Sequence, residues 1–163
     1  MIAIPGRLVV SALAAVLVAT SIATAVERAA PALPPTAAQL TRARQASYEL
    51  SVITFSQLKR AVDTGSDVTK QQFAATALAQ WAAVLPTLYP EGTGPGQTSV
   101  ETHALAEVWS NRAAFLARSN EFSVATSRLV DLAKSGDAGG FASQLAAVKK
   151  ACDSCHADFK TRD

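Results

Sequence analysis

The sequence predicts an all-α protein built as an antiparallel four-helix bundle. Three observations carry this expectation: apolar residues return every three or four positions in four separate stretches, glycine and proline cluster where those stretches stop, and no run alternates apolar and polar residues long enough to make a strand. Helices with one apolar face and mostly short links bury that face against one another.

The first helix starts at Ala37. Tyr48, Val52, Phe55 and Val62 form one stripe, Leu40, Ala43, Ser47, Leu50 and Leu58 an adjacent one, and Thr64-Gly65 ends it. Ser66 or Asp67 caps a second helix with the stripe Ala74, Leu78, Trp81 and Leu85, ending at Pro86. From Pro86 to Ala104 the prolines and glycines of "PTLYPEGTGPGQTSVETHA" forbid a continuing helix. A loop of this length in a compact domain is expected to lie against a cofactor or a partner. A third helix over residues 105–135 buries Val108, Trp109, Phe115, Phe122, Leu129 and Leu132 and breaks at Gly136. The last helix carries Phe141, Leu145, Val148, Cys152, Cys155 and Phe159 on one face.

Residues 1–25 stand apart. Arg7 is a short positive segment, Leu8 to Val18 an apolar one, and Ala23-Thr24-Ala25 supplies the small residues of a cleavage site, so a signal peptide cut after Ala25 is expected. The rival is an uncleaved anchor, since no charge occurs from Leu8 to Val26. Residues 26–36 then form a flexible Ala/Pro-rich leader and residues 37–163 one domain. The chain has 15 Lys+Arg against 13 Asp+Glu, and losing Arg7 leaves 14 against 13, a net of +1. With that balance and no basic run, neither nucleic acid nor, after cleavage, a membrane is an expected partner.

Export favours disulfides, yet the only two cysteines, Cys152 and Cys155, are too close to staple a fold. They belong to "CDSCH". A redox dithiol needs its thiolate at a helix N-terminus, where the dipole lowers the pKa, and this pair falls in the last turns of a helix. Structural zinc needs four ligands. Cys155 and His156 are neighbours pointing different ways off the helix, and His103 lacks a partner at zinc-site spacing. Covalent haem attachment uses every residue of the motif: Cys152 and Cys155 share a face for two thioethers, and His156, four after Cys152, reaches the iron.

Seven residues follow His156, so a sixth iron ligand is expected from upstream. The sole methionine, Met1, goes with the signal peptide, which removes the usual electron-carrier ligand. His103 reads as a solvated loop residue, and a tyrosine stays a neutral phenol below a pKa of about 10. An open iron position is the expectation.

At this point the chain resembles the cytochromes c′, the class II cytochromes c, across essentially the whole domain. "RQASYEL", "LYPEGTG", "ETHALAEVWSN" and "ACDSCHADFK" carry the resemblance. It implies an up-down-up-down bundle, commonly a homodimer, with one covalently attached haem c held through His156 alone. By resemblance Cys152 and Cys155 are the thioether anchors, Arg44 and Gln45 lie beside the haem propionates, and Tyr48 is the bulky residue over the vacant iron face. Thr102 touches the haem edge, while Trp81 and Trp109 read as core. Two departures stand out: Ala106 where the family often has Pro, which blurs the third helix's start, and Lys160 where it often has Arg. The implied protein is periplasmic and not an enzyme. It binds nitric oxide or carbon monoxide on a face guarded by Tyr48 and exchanges an electron with an unknown redox partner; the alternative is a dedicated or low-spin electron carrier. Peroxidase chemistry ranks below both, because only His103 could serve as its distal base.

Overall fold

The structure, a computed structural model of the chain, describes residues 34–162. The expected signal peptide over residues 1–25, and the leader as far as residue 33, lie outside the described residues. Five α-helices follow in order: α1 Ala37–Asp63, α2 Gln72–Val84, α3 Glu107–Ser110, α4 Arg112–Ser135 and α5 Ala138–Phe159. The four long ones make the antiparallel bundle. Among the described residues the one extended pairing is an isolated bridge between Ala104 and Lys160.

Helix α1 opens on a capping box, in which Thr36 Oγ1 accepts from the Gln39 amide (3.2 Å) and Gln39 Oε1 accepts from the Thr36 amide (2.8 Å). Two otherwise unsatisfied N–H groups are met this way. The residues α1 buries are Thr41, Arg44, Leu58 and Ala61. This corrects the expected stripes, since Leu50 and Val52 are 63% and 64% exposed. The reason lies in the packing: α1 lies along α2 and touches α5 only sparsely, so its helix neighbours cover a narrow arc, and Arg44 is buried instead under the segment after α2. Apolar periodicity cannot flag a buried arginine.

Three helix ends also differ from expectation. Asp67 caps a 3-10 turn, Val68–Gln71, by accepting from the Thr69 amide (3.0 Å), and α2 begins only at Gln72. Pro86 does not end the helical run but enters a second 3-10 turn, Leu85–Leu88, where a missing N–H costs nothing. The single helix expected over residues 105–135 is broken at Asn111 (φ −118°, ψ 52°) into α3 and α4, and Ala106 offers α3 no side-chain cap. Gly136 stops α4 with a left-handed φ of 74°, a conformation in which a Cβ costs about 1 kcal/mol, and Asp137 restarts the chain as the α5 cap.

The core has two parts. One lies where α4 packs widely on α2 and α5, and holds Leu78, Phe122, Leu129, Phe141, Leu145 and Val148. The other, at the loop end, gathers Leu85, Tyr89, Val108, Phe115 and Phe159, with Phe115 and Phe159 edge to face at 5.5 Å. The Leu105 amide donates to the Phe159 carbonyl (2.9 Å) and the Thr161 amide to the His103 carbonyl (2.8 Å), tying the loop to the end of α5. Cys152 packs on the first part and Cys155 on the second, which puts the CDSCH segment at their seam.

Candidate functional site

The last two turns of α5 present Cys152, Cys155 and His156. Both thiols are free and partly buried. Burial, then the Asp153 carboxylate, pushes the Cys152 thiol up to about 11. Burial, then Cys152, does the same to Cys155, also to about 11. Both are therefore neutral thiols at pH 7, the opposite of what a redox dithiol needs. Burial, then Lys160, lowers the His156 pKa, so its imidazole keeps a lone pair to offer. Among the described residues no group of three or more His, Cys, Asp or Glu gathers as a metal site, so nothing in the geometry supports the zinc reading. His103 sits apart, with Nδ1 3.3 Å from Thr161 Oγ1.

Between α1, α2, α4 and α5 a cavity of about 300 Å³ opens beside these residues. Helix α1 lines it with Tyr48, Val52 and Phe55, α2 with Leu78 and Trp81, and α4 with Phe122, facing Cys152 and His156 of α5. An adjoining pocket of about 30 Å³ reaches Cys155 and Ser119. The Tyr48 ring stands 6.4 Å from the His156 ring at 53° and meets Trp81 edge-on at 4.9 Å. Trp81 Nε1 and Ser119 Oγ are buried without a hydrogen-bond partner among the described residues. Buried polar atoms are nearly always paired, so these two mark a place shaped for something the polypeptide does not supply.

Arg44, Gln45 and Thr102 line neither cavity. They form a second cluster. Arg44, 2% exposed, donates through Nη1 to the Leu88 carbonyl (3.2 Å) and Thr93 Oγ1 (3.3 Å), and through Nη2 to the Thr93 carbonyl (3.1 Å) and Thr102 Oγ1 (3.0 Å). Gln45 Nε2 donates to the Glu101 carbonyl at 2.8 Å. All these acceptors are neutral loop oxygens, and burial lowers the Arg44 pKa. The long loop thus lies against α1, gripped by a guanidinium fork, while Trp109 holds it from α3 through Nε1 donating to the Pro90 carbonyl (3.0 Å).

The structure therefore brings Tyr48, Cys152, Cys155 and His156 to one cavity and gathers Arg44, Gln45 and Thr102 elsewhere. Tyr89 joins the two groups: its hydroxyl donates to Tyr48 Oη (2.9 Å), and the Arg44 guanidinium lies 4.4 Å over its ring. Sequence reasoning passed over Tyr89 and took Trp81 for plain core. The available signal was the lone aromatic of "LYPEGTG", a ring that a loop with so few apolar residues must bury against something else. Burial, then Tyr89, raises the Tyr48 pKa well above its ordinary value, and burial raises that of Tyr89, so both phenols are neutral.

A family model described as Cytochrome C' matches residues 39–160. The cytochrome c′ of Rhodospirillum rubrum is 33% identical over 86 residues, which is 53% of this chain and 56% of that protein. That of Pararhodospirillum photometricum is 34% identical over 86 residues, 53% of this chain and 66% of its own length. The aligned stretch thus spans less than two thirds of either relative. Among solved structures, cytochrome c′ from Thermochromatium tepidum superposes with a TM-score of 0.74 at 23% identity, covering 80% of this chain and 100% of that one. A cytochrome c′ with ligand-controlled dimer dissociation gives 0.75 at 24%, with the same coverage. A nitric oxide complex of a cytochrome c prime variant from Alcaligenes xylosoxidans gives 0.71 at 19%, covering 80% of this chain and all of its own.

Proposed function

This chain belongs to the cytochrome c′ family, and we propose that Cys152 and Cys155 hold its haem c by thioethers, that His156 is the axial ligand, and that the iron position on the Tyr48 side is left for a diatomic gas, nitric oxide or carbon monoxide. Covalently attached haem c with iron is the cofactor of the family. The residues fit it. Two thiols three positions apart share a helix face beside an imidazole, and the small pocket they both border is walled mostly by apolar side chains, with an unpartnered indole N–H among them. When bound, the haem supplies an iron that takes a diatomic ligand and exchanges one electron.

The observation that carries this reading is the cavity's composition: from α1, α2 and α4 it receives aromatic and aliphatic side chains and the Ser51 hydroxyl, and no imidazole or thioether. Tyr48, held against Trp81, covers the approach and must swing for a ligand to enter. Most of the lining is apolar, Phe55 and Phe122 among it, which suits a small uncharged diatomic. For Arg44, beside Gln45 and Thr102, to meet a propionate carboxylate, its buried guanidinium must exchange some of its four neutral partners for that charge. The nitric oxide and carbon monoxide complexes of the Alcaligenes xylosoxidans protein support gas binding as the role.

The expected signal peptide supports a periplasmic location, and no described helix is long and apolar enough to cross a membrane. Exposed Leu50 and Ile53 on α1 and Val84 on α2 support a homodimer. On this reading the protein binds ligand and exchanges electrons with a redox partner rather than turning over a substrate. Dedicated electron transfer is the second reading, favoured by the exposure of His156, which brings one side of the site to the surface. Titrating the ferrous holoprotein with carbon monoxide and nitric oxide tests the first. A saturable, one-per-haem change in the Soret band is the expected result, and a spectrum insensitive to both gases overturns it.

A further inference from the structure

We propose that Tyr89 is a positioning residue for gas entry: its hydroxyl holds Tyr48 across from His156, so the loop after α2 sets how readily a diatomic displaces that ring. This rests on the reading above, in which Tyr48 is the gate. Tyr89 lines neither cavity that borders Cys152 and His156 and acts only through Tyr48. It is 6% exposed, lies edge to face with Phe115 at 4.9 Å, and packs beside Trp109 at 5.8 Å.

The Arg44 guanidinium, 4.4 Å from the Tyr89 ring centroid, covers that ring, and Arg44 is itself fixed by four bonds to Leu88, Thr93 and Thr102. Leu88 is the residue just before Tyr89, so the arginine grips both the backbone beside the ring and the ring itself. The donor at the end of this chain of contacts has its ring packed against Arg44, Phe115 and Trp109. Tyr48, by contrast, borders open cavity space toward His156. Of the two hydroxyls in the 2.9 Å bond, the one on Tyr48 is free to leave. Swinging Tyr48 away from His156 breaks that bond and strands the Tyr89 O–H among apolar rings, which opposes the motion.

The test uses carbon monoxide association with the ferrous holoprotein, followed by flash photolysis, in Tyr89→Phe, Tyr48→Phe and the double variant. Phenylalanine keeps each ring and deletes only the bond. Each single variant is expected to associate about fivefold faster, the factor for a hydrogen bond of about 1 kcal/mol at 1.4 kcal/mol per tenfold, and the double variant no faster than either single. The Fermi doublet of Tyr48 in ultraviolet resonance Raman spectra is expected to shift in Tyr89→Phe, a readout that does not depend on ligand binding and that loss of packing alone does not give. If Tyr48→Ala accelerates binding while Tyr89→Phe and Tyr48→Phe both match the wild type, the gate stands and Tyr89 has no part in it. If Tyr48→Ala also matches the wild type, the gate itself is overturned and this inference with it. Should Tyr89→Phe fail to fold, Tyr48→Phe breaks the same bond from the other side and decides the matter alone.

Discussion

Replacing Tyr48 with alanine removes the ring that stands across the cavity from His156, and the structure fixes how large the effect should be. Two contacts hold the ring: the hydrogen bond from Tyr89 at 2.9 Å and the edge-to-face contact with Trp81 at 4.9 Å. The first is worth about 1 kcal/mol and the second about 0.5 to 1.5 kcal/mol. A ligand that must displace the ring pays their sum in its entry barrier, about 1.5 to 2.5 kcal/mol, which at 1.4 kcal/mol per tenfold is roughly ten- to sixtyfold in rate. Stopped-flow mixing of the ferrous Tyr48→Ala holoprotein with carbon monoxide should show association faster by that factor, with equilibrium binding strengthened in the same direction. A rate within twofold of wild type would refute the reasoning, because it would mean that ligands reach the iron without moving Tyr48.

Three further outcomes follow from the same geometry. Arg44→Lys keeps a charge but not the planar fork that serves four acceptors in a site 2% exposed; it should cost about 2 to 4 kcal/mol in denaturant unfolding, and a loss under about 0.5 kcal/mol would contradict the grip of that fork on the loop. Phe141→Ala, at 0% exposure where α4 meets α5, should cost about 3 to 5 kcal/mol with no change in the carbon monoxide rate, and a shifted rate would show that this core region is coupled to the gate. The chain has two tyrosines, so Tyr48→Phe leaves Tyr89 as the only one. Burial raises its folded pKa above the unfolded value of about 10, so its contribution to stability is complete below that pH and is lost as pH rises beyond it. Phenolate absorbance should therefore appear together with alkaline unfolding, and a native protein ionising near pH 10 would show that the ring is not buried.

The parts of this molecule that sequence made legible are those governed by local rules. Helix spacing placed Phe141, Leu145 and Val148 on the buried face of α5, and the i, i+3, i+4 arrangement of Cys152, Cys155 and His156 put the three on one stretch of that helix bordering the small pocket. Gly136 and Asp137 announced the turn between α4 and α5. What stayed hidden depends on partners far apart in the chain. Arg44 is buried because Leu88, Thr93 and Thr102 bring oxygens to it from 44 to 58 residues away, and no pattern within α1 reports that. Leu50 and Val52 look like core in a helical wheel, yet no described element covers them. The break at Asn111 is one residue leaving helical backbone (φ −118°, ψ 52°), while the apolar spacing continues through Val108 and Phe115 and so reads as one helix. Tyr89 escaped notice for the same reason as Arg44: its importance lies in a bond to Tyr48 across 41 residues.

The claim beneath all of this is that the polypeptide gives the haem iron one strong donor, His156, and leaves the opposite position to incoming ligand. An electron paramagnetic resonance spectrum of the ferric holoprotein at neutral pH tests it most directly. Signals of an iron with a single axial protein ligand, high-spin in character and unchanged by His103→Ala, are the predicted result. A low-spin spectrum in the wild type, whether or not it collapses in that variant, would contradict the account.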